Sequence, residues 1–147
     1  MDLIQSLKNS ENLRQDLIDI KNTMTDENIS QIIENESYFL ELISSDDSKI
    51  RKAVNEILGK TKQEKYKSII FNAYLNEQQL MIKSSILKAL SAYHIEEYLD
   101  ILNSREAELV EQLVGENAKH AKEELRVLRK LLQPYRTLKK HEFIGFE

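Results

Sequence analysis

Eight basic side chains, Lys119, Lys122, Arg126, Arg129, Lys130, Arg136, Lys139 and Lys140, crowd the last fifth of the 147-residue chain. At 100° per residue the first five fall within an arc of roughly 100° on a helix. Ala118, Ala121, Leu125, Leu128 and Leu132 fill the adjoining arc, the one expected to face a core. A basic stripe over several turns can track phosphates, and Tyr135 and His141 add groups able to stack or hydrogen-bond. The same stripe suits docking to an acidic protein surface. It also has an ordinary reading, because bases near a helix C-terminus complement its dipole and solvated faces commonly carry charge.

Other residues that could do chemistry are sparse. Glu116, His120 and Glu124 recur at i, i+4, i+8 on one helical face. A carboxylate–histidine metal site on such a face needs ligands from a second helix, so an exposed polar face is the expectation and no metal is assigned. His94, between Tyr93 and Ile95-Glu96-Glu97, reads as a histidine near a helix C-terminus and not as a catalytic base. Adjacent carboxylates (Asp46/Asp47, Glu96/Glu97, Glu123/Glu124) do not face one another on a helix, and read as caps and solvated faces. The chain has no GxGxxG, P-loop, GxSxG or HExxH motif, and its glycines, Gly59, Gly115 and Gly145, stand alone. With no glycine-rich phosphate loop, no nucleotide cofactor is expected and the chain is not expected to be an enzyme.

The elements that must carry these residues follow from composition. Three Gly and one Pro are too few for a fold with many tight turns, and Leu, Ile, Glu, Lys, Asn and Gln favour helix. The length suits one domain with a real core. There is no cysteine, which excludes disulfides and thiolate metal sites. The start, Met1-Asp2-Leu3-Ile4-Gln5-Ser6, lacks a basic and apolar signal pattern, and no apolar run is long enough for a membrane span. The cytoplasm is the expected compartment. Charge is uneven: residues 1–118 carry 13 Lys/Arg against 21 Asp/Glu, whereas residues 119–147 carry 8 against 4.

An internal repeat organises the middle of the chain. Ile50-Arg51-Lys52-Ala53-Val54-Asn55-Glu56-Ile57-Leu58-Gly59 aligns with Ile82-Lys83-Ser84-Ser85-Ile86-Leu87-Lys88-Ala89-Leu90-Ser91 at an offset of 32 residues. Each segment begins with a β-branched residue and a base, places a small residue mid-face, and ends on another small residue. Apolar positions recur at helical spacing in both. An apolar helix precedes each: Tyr38 to Ile43 before the first, and Tyr66, Ile69, Ile70, Ala73 and Tyr74 before the second, with Asn76 as its stop. The cluster Ser44 to Ser48 supplies a turn and N-cap candidates. A third pair is expected from Ile95 to Gln133, broken near Gly115-Glu116-Asn117. Leu13, Leu17, Ile20 and Met24, then Ile29, Ile32 and Ile33, indicate helices in a degenerate first unit or cap.

The run from Phe39 to Gly59, with its aspartate-bearing turn and the pattern Ile50-Arg51-x-Ala53-x-x-x-Ile57-Leu58-Gly59, resembles one repeat of the HEAT-like (armadillo-type) α-helical repeat family. Residues 66–92 resemble a second unit in which Lys83 takes the basic place and Ser91 replaces the glycine. Residues 95–133 depart further, as terminal repeats do. The resemblance implies an all-α, right-handed α–α superhelix, a HEAT-like solenoid of about four hairpins. It also implies a curved surface that holds a macromolecule, with a protein partner favoured, nucleic acid as a second option through the basic stripe, and self-association through uncapped ends. HEAT-like alkylpurine DNA glycosylases resemble the chain in architecture only, since it has no Trp.

Pro134 is expected to end the last helix. Residues 1–134 then form the repeat domain, and residues 135–147, with Phe143, Ile144 and Phe146, form an extended segment, either folded back or opening a following domain. The functional expectation is a non-catalytic scaffold that binds through its curved face and basic C-terminal helix. The alternative is the N-terminal recognition module of a larger nucleic-acid-modifying enzyme.

Overall fold

The structure is a computed structural model, described over residues 3–144 for the backbone and 3–136 for side chains. It is all-α, 81% helical, with no strand among the described residues. Among the described residues nine α-helices follow one another: α1 (Leu3–Lys8), α2 (Leu13–Asn22), α3 (Asp26–Glu34), α4 (Glu36–Leu42), α5 (Ser48–Lys60), α6 (Lys67–Asn76), α7 (Leu80–Lys88), α8 (Leu99–Glu111) and α9 (Ala118–Ile144). None of the described helices is long and apolar enough to cross a membrane.

Local chemistry explains most of the helix boundaries. Asn12 caps α2 by accepting from the backbone N–H of Gln15. Thr25 and Asn28 close a reciprocal capping box at the start of α3. Asp47 caps α5, accepting from the N–H groups of Lys49 and Ile50 at 2.9 and 3.4 Å, which fulfils the role expected of the Ser44–Ser48 cluster. Helix α6 stops at Asn76 and α9 starts just beyond Gly115-Glu116-Asn117, both as the sequence suggests.

The chain divides into two compact units, Met1–Ala92 and Tyr93–Glu147. In the first, α5 packs against α2, α4, α6 and α7. Its apolar face (Ala53, Val54, Ile57, Leu58) is fully buried together with Leu17, Phe39, Ile70, Ile86 and Leu90. Removing a Leu, Ile or Phe side chain of this kind from water contributes about 1.5–3 kcal/mol. Close approach is built in at Gly59, where an added Cβ would stand 2.8 Å from the backbone oxygen of Ala89. The small closing residue of the first repeat segment thus lets α5 meet the 3-10 turn Ala89–Ala92.

In the second unit α8 packs against α9. The expected core face of α9 is found: Ala121, Leu125, Leu128 and Leu132 are buried, and Ala118 is half-buried. Over residues 135–144 the expected extended segment does not form, because α9 runs through Pro134 to Ile144; residues 145–147, Phe146 among them, lie outside the described residues. Proline removes one helical hydrogen bond, leaving the carbonyl of Lys130 without its donor, but Lys130 and Pro134 are both exposed and water can serve that oxygen. Leu132 is buried on one side of the proline, and on the other the Tyr135 hydroxyl accepts the N–H of buried Ile95 at 2.8 Å. Both anchors hold the backbone in helical register.

Candidate binding surfaces

The basic stripe lies on α9 and faces solvent: Lys119, Lys122, Arg126, Arg129, Lys130 and Arg136 are all exposed. Lys139 and Lys140 have side chains outside the described residues. The stripe is partly neutralised from a direction that helical periodicity does not disclose. Glu106 of α8 accepts from Arg129 Nε at 3.1 Å and from Arg136 Nη1 and Nη2 at 3.0 and 2.6 Å. The Arg136 hydrogen bonds hold the Glu106 carboxyl below the usual carboxylate range; partial burial opposes them and Arg129 adds to them. Arg126 pairs with Glu123 one turn back, at 3.1 and 2.7 Å. Lys119, Lys122 and Lys130 make no ion pair or side-chain hydrogen bond among the described residues. Arg129, Lys130, Gln133 and Arg136 together line a shallow hollow of about 390 Å³.

The carboxylates of the Glu116/His120/Glu124 series do not share one exposed face. Glu116 is exposed, whereas Glu124 is only 2% exposed and grips Arg105 of α8 bidentately at 2.8 and 2.9 Å. That pairing lets an acid enter the α8–α9 contact beside Leu125 and Leu128, which its local spacing does not reveal. His94 is exposed in the turn before α8.

A second polar constellation joins the two repeat segments. Arg51 and Lys83 occupy the same place in them, 32 residues apart. Arg51 Nη1 donates to the carbonyl of Ser45, just past α4, at 2.8 Å. Lys83 Nζ donates to the carbonyl of Tyr74, near the end of α6, at 2.5 Å, and stands 4.5 Å from the centre of the Tyr74 ring. Each base therefore reaches back to a backbone carbonyl six residues before it, ahead of its own helix: Arg51 to Ser45 and Lys83 to Glu77. They converge on Glu77: Arg51 binds its carboxylate at 2.9 and 3.0 Å, and the carbonyl of Glu77 lies 3.4 Å from Lys83 Nζ. Burial pushes the Glu77 carboxyl up, but the Arg51 bonds, the N–H of Gln79 and the charges of Arg51 and Lys83 bring it below its usual range. One clue to this cluster was available: an acid beside a helix C-terminus is unfavourable unless bases answer it.

Next to this cluster α4, the α4–α5 turn, α5 and α6 line an open cleft of about 670 Å³ of mixed polar and apolar character, with Asn55 among its lining residues. Asn55 is fully buried and donates to the carbonyl of Arg51 at 2.8 Å, while its Oδ1 has no hydrogen-bond partner among the described residues. Sequence periodicity places Asn55 within an apolar helix but does not show that it is enclosed. A third surface, a groove lined by lysines from α2, α5 and α7, is likewise absent from any linear pattern.

Compared with protein-family models, curated proteins and solved structures, the chain matches none of them.

Proposed function

We propose that this chain is a non-catalytic, HEAT-like scaffold whose hairpins stack as a right-handed superhelix of about four units and hold a macromolecular partner, a protein by preference. The observation that carries this reading is the equivalence of Arg51 and Lys83. Residues of like chemistry, 32 positions apart, each reach from the first turn of a second helix to a carbonyl six residues back, Arg51 to Ser45 and Lys83 to Glu77. Repetition of a tertiary contact at a fixed period is what stacked helical hairpins produce, and such arrays expose long, continuous walls suited to partners. The packing of α5 against both α2 and α7 supports the same arrangement.

In this reading the outer face of α9 is the contact surface. Lys119, Lys122 and Lys130 supply uncommitted charge, and Arg129 and Arg136 are held in place by Glu106. A protein partner is favoured over nucleic acid because the stripe is interleaved with Glu123 and Glu106, which lower its field toward a continuous phosphate chain. The test is a pull-down with and without nuclease, using the wild type and a Lys122→Glu/Lys130→Glu variant. Capture that survives nuclease and falls in the variant supports the proposal. Capture that vanishes with nuclease, or that the variant leaves intact, removes respectively the protein partner or the α9 surface.

A further inference from the structure

A groove of about 620 Å³ opens where the C-terminal ends of α2, α5 and α7 come together in the first unit. Its charged lining is lopsided: Lys21, Lys60, Lys62 and Lys88 against the single carboxylate of Glu56. Two of these lysines are spent inside the fold. Lys21 Nζ lies 3.4 Å from Glu56, and Lys60 Nζ donates to the carbonyl of Lys21 at 2.7 Å. Lys62 and Lys88 are exposed and have neither an ion pair nor a side-chain hydrogen bond among the described residues.

Helix dipoles account for lysines in the last turns of α2, α5 and α7, where cations are mildly favoured. They account less well for Lys62. Its φ of 57° places it in the left-handed region just past α5, where glycine sits without strain and a lysine does not. That is the position where helices commonly close in the left-handed region, and there Lys62 lines the groove. The rest of the lining decides what kind of anion fits. Met24, Ile29, Ala89 and Ala92 give the groove an apolar component, and no aromatic ring lines it on which a base could stack. Acidic groups beside an apolar anchor match this lining; a bare phosphate chain uses only half of it.

We propose that this groove docks a segment of a partner protein in which acidic residues alternate with an aliphatic side chain, the acids meeting Lys62 and Lys88 and the aliphatic group seating near Met24 and Ile29. The inference rests on the binding-module reading above, but uses a surface separate from the stripe on α9.

The probe is a fluorescein-labelled dodecapeptide of repeated Glu-Glu-Leu, compared by anisotropy with a labelled oligothymidylate. Binding is measured for the wild type, Lys62→Gly, Lys62→Glu/Lys88→Glu and Lys122→Glu/Lys130→Glu, each first checked by thermal melting. The expected result is peptide binding that weakens about threefold in Lys62→Gly and at least tenfold in Lys62→Glu/Lys88→Glu, the cost of removing or reversing charges that meet the ligand. The α9 variant should bind the peptide as the wild type does. Lys62→Gly should melt no lower than the wild type, so its loss of binding cannot be a loss of fold. Peptide binding lost only in the α9 variant overturns the groove and leaves the scaffold reading standing. Wild-type protein that ignores the peptide, or binds the oligonucleotide more tightly through Lys62 and Lys88, overturns the groove as a peptide site. A nuclease-resistant pull-down reduced by Lys122→Glu/Lys130→Glu keeps the scaffold reading alive in either case.

Discussion

Arg51 grips Glu77 through two guanidinium nitrogens, at 2.9 and 3.0 Å across 26 residues of sequence, and so joins the first repeat segment to the helix end that precedes the second. Glu77 is almost wholly enclosed, its side chain 4% exposed, while Arg51 keeps 19%. The pair is a bidentate bond in a semi-buried place, where removing one partner is costly because the other is left without an answer.

Glu77→Gln should therefore destabilise the chain by about 2–3 kcal/mol, and a double-mutant cycle with Arg51→Met should show coupling of about 1–3 kcal/mol. The pH dependence has a definite sign. The folded carboxyl titrates below its ordinary value of 4.5, so its contribution is complete above that value and is lost as pH falls through the folded pKa. Chemical denaturation from pH 7 downward should show the gap between wild type and Glu77→Gln narrowing on acidification. A gap that stays constant or widens would show that the carboxylate charge is not what stabilises this joint.

Gly59→Ala sets two effects against each other. Alanine is the better helix former by up to about 1 kcal/mol. Its Cβ, however, would stand 2.8 Å from the carbonyl oxygen of Ala89 and 3.2 Å from the Ala89 Cβ, and a backbone atom cannot swing aside as a side-chain tip can. The clash should win, for a net loss of about 1–2 kcal/mol in urea unfolding. A stabilised Gly59→Ala protein would mean that α5 and the Ala89–Ala92 turn sit further apart than described.

Tyr135→Phe examines the helix beyond Pro134. The Tyr135 hydroxyl is the acceptor for the N–H of Ile95, a residue only 1% exposed, so its removal strands a buried donor. A loss of about 1–2 kcal/mol is expected, together with faster amide exchange at Ile95. Unchanged exchange there would indicate that residue 135 does not lie against the start of the second unit.

The readable part of this protein was the part governed by neighbours in sequence. Apolar spacing located helices in the places of α2 to α9 and, on α5 and α9, the buried faces themselves, from Ile57 to Leu128, because a helix brings i, i+3 and i+4 to one side whatever it later meets. Asp47 as a cap, Asn76 as a stop and the break at Gly115 were legible for the same reason: each acts within one turn of its own position. The stripe of α9 was legible as a stripe, from spacing alone.

Tertiary structure decided what that spacing could not. It placed Glu106 under Arg129 and Arg136 and Glu123 beside Arg126, and so divided the six described bases of the stripe into committed and uncommitted ones. It enclosed Glu124 with Arg105, carried α9 through Pro134 by anchoring Leu132 and Tyr135, and gathered lysines from three helix ends into one groove. The physical reason is common to all four. A helix is selected by interactions that repeat within a few residues, whereas the state of a charge or a proline depends on which distant group reaches it, and that is known only when the elements have packed.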